Sequence, residues 1–108
     1  MPSQEDHIEG LELFVLRGLC AYPGGDEGYA KCVAGLASYS WRDAEHRVVY
    51  EALVRIRFLP RALRRAELPA EVTRMGFPDV DCSAYSEGKA IAPEKLSELI
   101  NQIHGLTQ

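Results

Sequence analysis

The sequence lacks the long apolar runs and the leader segment that would mark a membrane or secreted protein. Its longest apolar runs are only a few residues, far short of a membrane span. The N-terminus is acidic and has no basic region before an apolar stretch, so it does not resemble a secretory signal. We therefore expect a cytoplasmic protein. The net charge of −4 argues against a protein that coats nucleic acid through charge alone.

Residues that bind metals or form disulfides are few and scattered. The three cysteines, Cys20, Cys32 and Cys82, are an odd number and show no C-x-x-C spacing. No cysteine and histidine share zinc-ligand spacing. Asp79 and Asp81 are too sparse for a calcium loop and are interpreted as turn-forming acids. We expect buried free thiols, no metal and no cofactor.

Sequence motifs for catalysis are also missing. The chain has no phosphate-binding loop, no G-x-G-x-x-G, no nucleophile elbow and no paired His–carboxylate motif of metallohydrolases. We therefore expect a protein that is not an enzyme.

The sequence has the composition and the periodicity of a helical domain. The 108 residues are 46% hydrophobic and 26% charged, which suits one domain over residues 1–108 with one core. Apolar residues recur at helical spacing, and no window alternates with period two. The predicted fold is all-α, a compact orthogonal bundle of about five to six helices.

Local signals predict the bounds of these helices. The predicted helices cover residues 6–20, 26–37, 43–58, 60–67, 69–75 and 93–105. Asp26 and Asp43 are expected to cap the second and third, and prolines are expected to open the last three. Gly76 is expected to be the left-handed residue after the fifth, with Phe77 packing back on it. Residues 79–92 are interpreted as an irregular surface segment.

The apolar faces of these helices predict the core. The expected core residues are Leu11, Val15, Leu19, Val33, Leu36, Val49, Leu53, Ile56, Leu99 and Ile103. Trp41 is expected to close this core at the entry to the third helix, although an aromatic there could instead anchor a partner.

The arginines are concentrated in the middle of the chain. Residues 42–65 hold seven arginines and three acids, a local charge of +4, whereas the first thirty residues hold six acids and one arginine. Three interpretations stay open: a helix-turn-helix that reads DNA, a surface that docks an acidic protein, and pairing with the acidic N-terminus inside the fold. Guanidinium groups make bidentate contacts, which favours recognition. The candidate partner-binding residues are Arg55, Arg57, Arg61, Arg64 and Arg65.

Two stretches resemble a known helical domain. Residues 12–23 read ELFVLRGLCAYP and residues 41–53 read WRDAEHRVVYEAL. Over residues 8–58 the sequence is similar to the N-terminal domain of DnaB-type replicative helicases. Residues 16–23 of the first stretch are at least as similar to the helicase-binding C-terminal domain of bacterial primases, which shares that fold. Arg17 stands where the family usually has a small residue, and the chain contains no ATPase domain. The resemblance implies protein docking, without assigning contact residues.

The function expected from the sequence is therefore a non-enzymatic protein–protein interaction module associated with the replication machinery, with a helicase or primase as partner. The alternative is a small DNA-binding regulator that uses residues 55–65, although only weak or no nucleic-acid binding is expected. A domain that only forms a homodimer is a third alternative.

Overall fold

The apolar stripes of the sequence become six α-helices. The structure is a computed structural model that describes residues 4–22, 25–86 and 91–107. Its helices are α1 (Gln4–Cys20), α2 (Asp26–Gly35), α3 (Ala44–Arg55), α4 (Arg61–Arg74), α5 (Ser83–Ser86) and α6 (Pro93–Thr107). The described residues contain no strand. The all-α prediction is confirmed, and the radius of gyration of 13.0 Å is that of a compact chain of about 100 residues.

Helix α1 is the central element of the bundle. It packs against α3, α5 and α6, while α2 packs on α6 and α4 packs on α3. All ten predicted core residues are buried. Trp41 is half-buried between Tyr39 and Tyr50, with ring centroids 5.0 and 5.2 Å from its own. The predicted packing of Trp41 against the core is therefore observed, although its indole Nε1 has no hydrogen-bond partner among the described residues.

The predicted N-cap of α3 is confirmed, and the predicted N-cap of α2 is wrong. The Asp43 carboxylate accepts hydrogen bonds from the amides of Glu45 and His46, so Asp43 caps α3. Asp26 is the first residue of α2 rather than its cap, because Gly25 has the extended backbone of the N-cap position. The predicted turn before it includes residues 23–24, which lie outside the described residues.

Gly76 ends α4 in the manner predicted. Its φ of +96° lies in the left-handed region that favours glycine. The Gly76 amide donates to the Thr73 carbonyl, and the Phe77 amide donates to the Val72 carbonyl at 2.9 Å. This pair of bonds is the Schellman arrangement that closes a helix. The Phe77 side chain nevertheless stays 44% exposed rather than packing fully back on the helix.

The prediction of two short helices at residues 60–67 and 69–75 is wrong, because α4 continues through Pro69. Proline removes one backbone N–H from the helix, which normally favours a break. Here the buried residues Arg64, Leu68 and Val72 follow one another at four-residue spacing on both sides of the proline. A single helix keeps this whole face against the core, and that burial outweighs the missing hydrogen bond. Pro60 is the N-cap residue of α4 rather than part of its first turn.

Three other boundaries also differ from the prediction. Helix α3 ends at Arg55 rather than at residue 58, with Ile56 as its C-cap residue. Helix α6 continues past Gly105 to Thr107. The segment 79–92 is not wholly irregular, because it contains α5, and both Cys82 and Tyr85 are buried there. Residues 87–90 of that segment lie outside the described residues.

Candidate functional site

A buried carboxylate joins α1 to the entry of α3. The Glu12 side chain is fully buried, and Tyr39 donates its hydroxyl to Oε2 at 2.6 Å. The backbone amides of Arg42 and Asp43 donate to the same carboxylate at 2.8 and 3.3 Å. His46 Nδ1 lies 2.9 Å from Oε1 and donates to it, because an ionised carboxylate can only accept. Glu12 therefore holds the turn that precedes α3.

The ionised form of Glu12 is stabilised by these contacts. Burial by itself would raise the pKa of the carboxyl group, but hydrogen bonds from His46, Tyr39 and the two amides lower that pKa below its ordinary value. The four donors are satisfied by this one side chain, which leaves it no vacant position for a substrate. We interpret the cluster as structural.

Polar contacts from α1 and α3 also fix α5. Tyr85 donates its hydroxyl to Glu45 at 2.7 Å, and its ring packs edge-on against His46. Arg17 donates from Nε to the Ala84 carbonyl at 2.7 Å. Arg17 therefore holds α5 on α1.

The three cysteines are free thiols in the core, as predicted. Burial raises the pKa of Cys20 to about 12, and burial also raises the pKa of Cys32 and of Cys82. Thiols with raised pKa values form little of the reactive thiolate near neutral pH. Asp81 accepts hydrogen bonds from the amide and hydroxyl of Ser83, which is the turn role predicted for it. No group of three His, Cys, Asp or Glu residues that could hold a metal ion occurs in the described part of the chain.

Among the candidate partner-binding arginines, Arg64 has the environment that agrees least with the prediction. Only 2% of its surface is exposed, and its guanidinium carbon lies 3.9 Å from the centroid of the Tyr29 ring. Its Nε donates to the Leu59 carbonyl at 3.0 Å. A buried side chain with these contacts is unavailable to a partner, so Arg64 is corrected to a core residue that anchors α4.

The other candidate arginines lie at the surface or outside the described side chains. Arg55 is exposed and lies 3.9 Å from Glu71 of α4. Arg57 and Arg65 are exposed as well. The side chain of Arg61 is outside the described residues. Among the described side chains of the predicted set, Arg55, Arg57 and Arg65 are thus exposed and Arg64 is buried.

The exposed members of this set accompany large apolar side chains. Phe58, in the connector between α3 and α4, is 81% exposed, and Leu63 in the first turn of α4 is 48% exposed. The guanidinium carbon of Arg57 lies 4.3 Å from the centroid of the Phe58 ring, a cation–π contact. We call Arg57, Phe58, Leu63 and Arg65 the basic corner. Sequence reasoning identified its arginines and missed Phe58.

A second surface feature lies at the other end of α4. Ala44, Glu45 and Val48 of α3 face the segment that follows α4, and together they enclose a groove of about 310 Å³. That segment contributes Gly76, Phe77, Pro78, Asp79 and Val80. Most of these groups are apolar, and the two charged ones, Glu45 and Asp79, are acidic. We call this feature the acidic groove.

Comparisons with protein-family models, with curated proteins and with solved structures give no match for this chain. No helix in the described part of the chain is both long and apolar enough to cross a membrane.

Proposed function

We propose that this chain is a non-enzymatic protein-interaction module that docks an acidic protein surface through the basic corner. The observation that carries the proposal is Phe58, which leaves 81% of its surface in water beside the Arg57 guanidinium. Aromatic residues and arginine are the types enriched at protein interfaces and at their hot spots. Leu63 and Arg65, at the start of α4, are also exposed, although two positions along a helix place them on different sides of it.

The DNA-binding alternative has less support from the same residues. A recognition helix presents several polar residues along one face of a helix in the groove. In α4 the buried Arg64 interrupts the arginine sequence, and exposed Leu63 stands beside it. The corner combines two apolar side chains with its arginines, which suits a protein surface better than a phosphate backbone.

The resemblance of residues 8–58 to DnaB-type domains suggests which partners to test first. A replicative helicase or primase is the partner class that this resemblance implies. The resemblance rests on residues such as Asp43, His46 and Tyr50, which are occupied by capping and packing inside this fold. The replication link is therefore a proposal about the partner, while the proposed docking surface rests on the basic corner.

The test is affinity capture from native lysate with three matched baits: the wild-type chain, Phe58→Ser and Phe14→Ser. Phe14 is also an exposed aromatic, 51% accessible, but it lies on α1 outside the corner. A partner retained by wild type and Phe14→Ser and lost by Phe58→Ser supports the proposal, and purified helicase and primase are then tested directly. Identical capture by all three baits would refute docking of a different protein through the corner.

A second measurement separates protein docking from DNA binding. Fluorescence anisotropy with mixed duplex DNA at about 150 mM salt should give at most the non-specific range, with Kd near 10⁻⁴–10⁻⁶ M. The matched variant is Arg57→Ala/Arg65→Ala, which leaves the buried Arg64 in place. Submicromolar binding that this double variant abolishes would favour the DNA-binding alternative.

A further inference from the structure

The basic corner and the acidic groove are complementary in both charge and apolar character. The corner presents an exposed phenyl ring beside the Arg57 guanidinium and an exposed leucine at the start of α4. The groove is an apolar concavity whose charged groups are Glu45 and Asp79. Phe77, in the wall of the groove, is 44% exposed and offers a second aromatic surface. Complementary potentials of this kind orient partners and set the register of an interface.

The basic corner of one molecule cannot reach the acidic groove of the same molecule. Helix α4 has 14 residues and therefore spans about 21 Å. Leu63 lies in its first turn, and the segment 76–80 that forms one wall of the groove follows its last turn. Because one continuous helix separates the two features, any contact between them must be between molecules.

We infer that the occupant of the acidic groove is the basic corner of a second copy of this chain. The inference rests on the proposed function, because it names the acidic partner surface that the corner docks. The contact is heterologous: Phe58 of one copy enters the groove of the next, with Arg57 or Arg65 near Glu45 and Asp79. The pair then keeps one corner and one groove unused, so association continues head to tail unless the geometry closes a ring.

The groove size agrees with a side-chain occupant. A volume of about 310 Å³ is at the lower limit of pockets that bind small molecules, and it opens to the surface. An occupant of one aromatic ring and one guanidinium group makes a small contact, and small interfaces are weak. The expected association is thus concentration-dependent and weakened by salt.

The experiment is sedimentation velocity of the full chain at concentrations from ~10 μM to ~1 mM, where weak complexes populate. Wild type is expected to self-associate. Phe58→Ser removes the inserted side chain, and Phe77→Ser alters the wall of the groove. Each substitution should weaken self-association at least about tenfold. Phe14→Ser is the matched control and should behave as wild type. Circular dichroism melts show that each variant is folded, which is expected because all three side chains are exposed.

Mixing the two defective variants tests the head-to-tail geometry. Phe58→Ser keeps an intact groove, and Phe77→Ser keeps an intact corner. Their mixture should form a complex of two chains that does not grow further. A folded wild type that stays monomeric over the whole range would overturn the inference, as would a mixture that does not form the complex.

The same variants distinguish this inference from the proposed function. If wild type is monomeric but Phe58→Ser loses a captured protein, the corner docks another protein and only the self-association inference fails. If wild type self-associates as described while all three baits capture identical proteins, the acidic surface that the corner docks is that of a second copy and not that of a different protein.

Discussion

Replacing Glu12 with glutamine is the sharpest test of the buried centre of this fold. Glutamine keeps the shape of the side chain but puts an NH2 group where one carboxylate oxygen accepts two donors. Oε2 accepts from the Tyr39 hydroxyl and the Arg42 amide, and Oε1 accepts from the His46 ring and the Asp43 amide. The hydroxyl can rotate and the ring can change tautomer, but neither amide can. In both orientations of the glutamine, one backbone N–H therefore faces an NH2 group.

The expected loss of stability follows from the number of buried donors that are left without an acceptor. One buried donor without a partner costs about 1–3 kcal/mol, so Glu12→Gln should destabilise the fold by about that amount near pH 7. Glu12→Ala strands all four donors and should lower the free energy of unfolding by about 3–5 kcal/mol, as for a broken buried pair. Either loss is large beside a total stability of about 5–15 kcal/mol.

The pH dependence has a definite sign. Hydrogen bonds hold the folded-state pKa of Glu12 below its ordinary value of 4.5, so the unfolded chain binds the proton first as the pH falls. The stabilisation is complete above that ordinary value and is lost as the pH falls through the folded-state pKa. Glutamine does not titrate, so the stability difference between wild type and Glu12→Gln should be constant near neutral pH and should narrow in acid.

Urea unfolding followed by circular dichroism, repeated at a series of pH values, measures this difference. Glu51→Gln is the control, because its partly exposed pair with Arg47 should contribute only about 0–1 kcal/mol. Equal stability of wild type and Glu12→Gln near pH 7 would refute the assigned network. If the stability difference between wild type and Glu12→Gln stays the same through the acid range, the titration of Glu12 is not the origin of the pH dependence.

Three further substitutions test the core, the cap and the corrected arginine, each by urea unfolding. Leu53→Ala should cost about 2–5 kcal/mol because the side chain is fully buried, and a loss under about 1 kcal/mol would contradict that burial. Asp43→Ala should cost about 0.5–2 kcal/mol, and an unchanged midpoint would mean that α3 does not depend on this cap. Arg64→Ala should cost about 2–4 kcal/mol through the lost Tyr29 and Leu59 contacts, whereas exposed Arg65→Ala should cost under about 0.5 kcal/mol. Similar losses for the two arginines would contradict their opposite environments.

Periodicity predicted the core well because burial in a helical bundle follows the helix repeat. The stripe Leu11, Val15 and Leu19 is buried along α1. Glu12 lies four residues from both Ile8 and Leu16, so it shares their buried face. An acid in an apolar register was the available signal, and it was missed because the pattern considers apolar residues alone. Its donors come from residues about thirty positions away, which no local pattern identifies.

The error at Pro69 carried over to the candidate site. Treating the proline as a helix start divided α4 and hid the register that joins Arg64 to Leu68 and Val72. Tertiary burial outweighed the local preference of proline, and a local signal carries no information about that burial. The same division made Arg64 look like a surface residue.

Local charge cannot identify which arginines reach the surface. Arg64 and Arg65 are neighbours of the same type, yet one step along an α-helix turns the side chain by about 100°, from the Tyr29 ring into water. The excess of arginines over residues 42–65 therefore combines a core anchor with surface groups. The exposed ring of Phe58 marks the surface part of this segment. It lies in the connector after α3, which ends at Arg55, and it contacts the Arg57 guanidinium. An arginine beside an exposed aromatic ring, such as Arg57, is accessible to a partner. An arginine stacked on a buried aromatic ring, such as Arg64, is not.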